Sequence, residues 1–205
     1  MPTPRFRLLL LLALWGFAAT LAGATHLFLH LPPVAVQLLI AALAVGFSFA
    51  LARVRWLAAA AAALGVRTIL AAHLVRLIGV YFLWLQAQGR LPAEFAQRAG
   101  WGDIAAAAGA AGLLLWPEGA GFRRALFWWN LFGAADLFVA VGTAGWMNAT
   151  RPGSMIELTG LPLTLIPLWA VPVLLSSHIY LVRRQVCGRD TGITDSALAA
   201  TSLES

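Results

Sequence analysis

Of 205 residues, 61% are hydrophobic and 11% charged, against about 25% charged in soluble domains, which excludes an ordinary water-soluble globule and points to an integral membrane protein. The formal charge of +6 comes from fourteen arginines without a lysine. They fall in small groups between apolar runs rather than in a stripe, so they speak for membrane topology and against a nucleic-acid partner.

In chain order, the apolar runs cover about 8–30, 34–52, 68–88, 100–116, 125–147 and 160–182. A helix needs roughly 20 apolar residues, within about 17 to 25, to cross a bilayer. All six runs pass, the fourth being the shortest, and the expected fold is an all-α six-helix transmembrane bundle. Residues 1–187 form one transmembrane domain and 188–205 a flexible cytosolic tail. The first run also reads as a secretory signal, with Arg5 and Arg7 before a leucine-rich core and Ala22-Gly23-Ala24 as a cleavage site. Against cleavage after Ala24, the apolar run continues through His26 to Leu31. His26 and His30 sit at i,i+4 near its end, a spacing that permits a metal but lacks a nearby carboxylate or cysteine. The run from Trp56 to Gly65 is too short to cross by itself and reads as an interfacial helix or as an extension of the third span.

Arginine counting gives the orientation. With both termini cytosolic, Arg5, Arg7, Arg53, Arg55, Arg67, Arg123, Arg124, Arg183, Arg184 and Arg189 lie inside, and only Arg90, Arg98 and Arg151 outside. Trp84, Trp101 and Trp146 then mark the outer interface, and Trp56, Trp116, Trp128 and Trp129 the inner one. Between Gln88 and Asp103 a glycine- and proline-containing outer loop is expected, with Asp103 capping the fourth helix. The alternative sets Asp103, Glu94 and Arg98 around an external vestibule. Pro162, Pro167 and Pro172 should kink or break the outer half of the sixth helix and free carbonyls there. The alanines and glycines of the fourth helix suit close helix packing.

Converting positions to depths places two polar layers inside the bundle. His73 lies about 8 Å and Arg76 about 12 Å beyond the cytosolic end of the third helix. Asp136 of the fifth helix matches Arg76, and a charge at that depth costs about 2.5 kcal/mol or more, so an intramembrane ion pair is expected. Asn130 and His178 match His73. That layer reads as a cofactor or ligand site, with haem, a metal, and a polar pocket for a proton, quinone or small-molecule substrate all open. Hydrogen bonds that merely join three helices explain it equally.

The stretches Gly89 to Asp103, Trp129 to Asp136 and Pro162 to His178 resemble a family of uncharacterised bacterial multi-pass inner-membrane proteins. The resemblance covers residues 67–183, including His73, Arg76, Gly102, Asp103, Asn130, Asp136 and His178. It implies a bacterial inner (cytoplasmic) membrane, transfers no catalytic role, and leaves the first two helices outside, as packing or anchoring elements.

A conventional hydrolase is poorly supported. Ser176, Ser177 and His178 are consecutive rather than disposed as nucleophile, base and orienter, and no phosphate-binding loop or zinc-protease motif occurs. The polar layers and the broken helix favour a transporter or permease of unspecified substrate, with the lipid bilayer as its certain partner and a homodimer to offset the lack of internal repeats. A noncovalent haem- or quinone-binding redox protein and a structural or accessory membrane protein are the alternatives.

Overall fold

The computed structural model describes residues 3–186. Its helices are α1 (Pro4–Ala24), α2 (Pro33–Arg53), α3 (Arg55–Ala72), α4 (Gly79–Ala87), α5 (Ala93–Leu115), α6 (Ala120–Thr150) and α7 (Val171–Thr201), the last described as far as Val186. A 3-10 segment, His73–Ile78, joins α3 to α4, so among the described residues the seven helices form six rods. Five of the rods are long and apolar enough to cross a membrane: Pro4–Ala24, Pro33–Arg53, Arg55–Ala87, Ala120–Thr150 and Ile166–Val186. The expected cytosolic tail, 188–205, lies outside the described residues.

Local sequence explains most of the boundaries. Pro4 starts α1 behind Thr3, whose Oγ1 accepts from Phe6 N at 3.3 Å, and Pro33 starts α2 behind Pro32. The first span is shorter than the run 8–30 suggests. α1 stops at Ala24, His26 adopts a left-handed backbone, and a separate 3-10 turn covers Leu27–His30. His26 and His30 therefore share no α-helical face, and both are exposed.

The segment from Trp56 to Gly65 is helical and belongs to α3. Gly65, at φ 77, breaks the direction there, a conformation that costs glycine little and other residues more. Before the break, Leu57, Ala60 and Ala61 pack against Leu8 of α1 and Leu51 of α2. After it, residues 66–87 run for roughly 36 Å, enough to cross one bilayer core.

The fourth rod is corrected most. The expected loop from Gln88 to Asp103 is largely helix, because α5 begins at Ala93 behind Pro92. Although it has 23 residues, α5 is absent from the strongly apolar rods. Glu94, Arg98 and Asp103 lie in its first half, and alanine and glycine fill much of the rest. The sixth rod starts late: a 3-10 turn at Ile156–Thr159 and further turns precede a π-helical segment, Ile166–Ala170, from which α7 continues. Pro167 in that segment has no N–H to give, which favours the wider turn.

The rods pack as an up-and-down bundle. At one end, Gln185 Nε2 donates to Arg123 O at 2.9 Å and Arg67 donates to the carbonyls of Leu114 and Trp116. At the other, Arg90 grips Glu157 through two hydrogen bonds of 3.0 and 2.7 Å, and Arg151 meets Glu94 at 2.7 Å. Leu38, Val45, Val80 and Phe138 each expose more than half of their surface, as suits a face turned to lipid.

Candidate functional site

The 3-10 geometry of His73–Ile78 decides which side chains enter the interior. With three residues per turn, positions i and i+3 eclipse. His73, Arg76 and Gly79 therefore line up on one edge, and all three are buried, while Val75 and Leu77 remain more than half exposed. Gly79 meets α5 at Gly100, where a methyl on either glycine would run into the other's carbonyl oxygen. That close crossing brings Asp103, one turn further along α5, within reach of Arg76.

Arg76 is 1% exposed and held on three sides. Its Nε donates to Asp103 Oδ1 at 2.7 Å, Nη1 donates to Gly133 O at 3.1 Å, and Nη2 donates to Asp136 Oδ2. Asp136 is thus one of two carboxylates on the guanidinium. Asp103 is neither a helix cap nor part of an outer vestibule: it lies ten residues into α5, is 7% exposed, and pairs with Arg76. The other proposed vestibule groups lie apart from it, Glu94 on Arg151 and Arg98 exposed. Gly102 makes room for the second carboxylate, since a Cβ there would overlap Asp136.

Beside this triad sits the histidine layer. His178 Nδ1 lies 2.9 Å from Asn130 Oδ1, and His73 Nε2 lies 2.8 Å from Ser177 Oγ. A carboxamide oxygen only accepts, so His178 carries its proton on Nδ1. Ser177 Oγ donates to Leu174 O at 2.7 Å, so it accepts from His73, whose proton is on Nε2. Each ring then has one lone pair left over, and His73 Nδ1, His178 Nε2 and Asn130 Nδ2 have no protein partner. The two layers meet at Gly133: a Cβ there would lie 2.6 Å from His178 Nε2 and 3.2 Å from Arg76 Nη1.

Trp129 closes the layer from α6. Its ring lies 4.8 Å from that of His73 and 4.9 Å from that of His178, and Nε1 donates to Ala106 O at 2.9 Å. Trp129 is buried, so it is a core residue and not the interfacial anchor that its position implied; its neighbour Trp128 is exposed. The rings of His73 and His178 are 4.4 Å apart. Axial ligands on opposite faces of a haem iron hold their nitrogens alone about 4 Å apart, with the rings further back. Two imidazoles in mutual contact leave no slot for a porphyrin, and the pair does not fit haem. Among the described residues no group of three or more His, Cys, Asp or Glu is placed to hold a metal ion.

A cavity of ≈ 280 Å³ lies next to the triad and opens between the rods. Arg76 and Asp103 form its charged wall, and the remainder is almost entirely apolar, with Ile40, Phe95, Leu137 and Trp169 among the lining groups. Both irregular segments border it, the 3-10 segment through Val75 and the π-helical segment through Pro167. The sequence marks this cavity only in part, through Pro162 and Pro167, two of the prolines expected to break the sixth helix, which both line it. Its outline depends on where α5 begins and on how residues 156–170 leave helical geometry.

No curated protein and no solved structure matches the chain. The match to a family runs over residues 33–186, so it takes in α2 as well as the stretch from 67 to 183 that carries the resemblance seen in the sequence, and it includes every residue of the two polar layers. The chain belongs to the family described as Domain of unknown function (DUF8737).

Proposed function

We propose that this chain is a small permease of the bacterial inner membrane, whose substrate occupies the cavity between α2, α5, α6 and the two irregular segments. The observation that carries this reading is that the cavity reaches a buried ion group: Arg76 and Asp103 line it directly. A purely architectural ion pair has no need of adjoining space, whereas a carrier needs a chargeable wall beside a volume that a molecule fills. Discontinuous backbone around the cavity supports the same reading, because irregular segments at membrane depth occur where they border a cavity or pack against protein.

In this arrangement α5 crosses with the five strongly apolar rods, protected by its contacts with α4 and α6. Both termini lie in the cytosol, with the Arg90–Glu157 and Arg151–Glu94 pairs closing the outer end. The lone Cys187 reports on this topology. A membrane-impermeant maleimide is expected to label it in inverted vesicles and not in right-side-out ones; labelling only in right-side-out vesicles reverses the orientation.

The test of the activity begins with small molecules retained by the protein purified from native membranes, identified by mass spectrometry, and then measures their flux in proteoliposomes. Asp136→Asn is expected to reduce flux at least tenfold while the unfolding temperature stays within a few degrees. Equal flux through the wild type, the variant and empty liposomes rejects the permease.

A further inference from the structure

We infer that the cavity takes a lipophilic monocation: a molecule with an apolar body and a single positively charged head that seats against Asp103. This rests on the permease reading only in its location, and it names the class of molecule the site recognises. The argument begins with the charge balance. One guanidinium faces two carboxylates, each less than a tenth exposed, so with both carboxylates ionised the group carries one negative charge beyond what Arg76 compensates. A lone charge in that setting calls for a counter-ion.

The hydrogen bonds show on which side the counter-ion belongs. Arg76 gives three of its five N–H groups to Asp103, Gly133 and Asp136, so its charge is already shared between two carboxylates that an incoming anion would also meet. Asp103 has used only Oδ1. Its Oδ2 has no protein donor among the described residues and is not one of the fully enclosed unpartnered atoms, so it still touches open space. The space that Asp103 borders is the cavity. The Asp103 side chain, nine-tenths buried and with one carboxylate oxygen unpaired, thus borders an apolar chamber, and among the described residues Arg76 is the one positive side chain that lines the wall.

Nearby groups exclude the other charge classes. Asp136 adds a second negative charge behind Arg76, while His73 and His178, in the tautomers set by Ser177 and Asn130, offer lone pairs rather than donors. An anionic substrate would meet two carboxylates and a guanidinium whose charge they already share. A neutral apolar molecule would fill the volume and leave the charge unmet. Gln37, the other polar lining group besides Arg76 and Asp103, can hydrogen-bond a head group but supplies no charge. The volume of ≈ 280 Å³ admits a single-ring or short-chain amine or quaternary ammonium.

The test uses three probes of one shape on the full chain in nanodiscs: benzyltrimethylammonium, its uncharged carbon isostere neopentylbenzene, and the anion phenylmethanesulfonate. Saturable binding is read by calorimetry and by the shift in unfolding temperature. The cation is expected to bind at least tenfold more tightly than either other probe, and Asp103→Asn to lose at least tenfold of the cation's affinity without changing that of neopentylbenzene. Comparison of the three probes on the unaltered protein does not depend on whether that variant folds. Equal or tighter binding of the neutral or anionic probe overturns the inference, and so does the absence of binding by all three. Flux of the same probes in proteoliposomes separates the two claims. A cation that binds and is not moved sinks the permease and leaves the site; a neutral probe that binds best and is moved sinks the cation class and leaves the permease.

Discussion

Replacing Arg76 by methionine is expected to destabilise the folded bundle by about 3–5 kcal/mol, enough to deplete it from membranes. The guanidinium bridges Asp103 and Asp136 and is their shared counter-charge among the described residues. Without it two buried carboxylates face each other, and a hydrogen bond to Gly133 O disappears as well. The decisive comparison adds Asp103→Asn and Asp136→Asn to the same chain. Exchanging a whole buried ion group for neutral residues of similar size is often neutral or stabilising, so the triple variant should regain most of what the single one loses. Unfolding temperature in detergent and the yield of monodisperse protein both report this. A triple variant as unstable as the sum of its parts would show that the three groups do not act as one unit.

The second large effect is expected at Gly133, which no charge argument would select. A methyl there would lie 2.5 Å from His178 Cε1 and 3.2 Å from Arg76 Nη1, and both groups are pinned by partners on other helices. Gly133→Ala should cost about 1–3 kcal/mol, the usual range for overpacking a well-filled interior, and Gly133→Val more. Alanine at Gly142 of the same helix, where nothing lies within 4 Å, should be neutral or slightly stabilising because alanine is the better helix former. Parallel unfolding curves for Gly133→Ala and Gly142→Ala make the comparison. Equal stability of the two would remove Gly133 from the contact between the histidine layer and the triad.

The polar residues were legible because hydrocarbon is an unforgiving solvent: an arginine, an aspartate or a histidine in an apolar run has few places to go, and depth alone groups Arg76 with Asp136 and His73 with Asn130 and His178. Depth counting failed for Asp103. With the fourth helix started at residue 100 instead of 93, Asp103 was put about 10 Å too shallow, at the interface, where capping is the natural reading. The turn that Gly89 and Pro92 signal is present just before α5, but Gly100 and Gly102 lie within the helix, as points of close approach to Gly79 and Asp136. The first span departs from its apolar run for a related reason, whereas the break in the outer half of the sixth follows the expectation from Pro162, Pro167 and Pro172. Apolar content continues past the point where backbone geometry changes at His26, and hydropathy is blind to the difference. The tryptophan rule failed in the same way at position 129, where an indole expected at the interface instead packs on two imidazoles.

The segment between α3 and α4 is also a screw. A 3-10 helix advances about 2.0 Å and turns about 120° per residue, an α-helix about 1.5 Å and 100°. Were His73–Ile78 to relax to α geometry, the rod would shorten by about 3 Å and everything beyond Ile78 would rotate by about 120° relative to α3. The eclipsed row of His73, Arg76 and Gly79 would be dismantled in that one movement, withdrawing Arg76 from Asp103 and Gly79 from Gly100. A change of torsion in six residues would thereby alter the charge on the cavity wall.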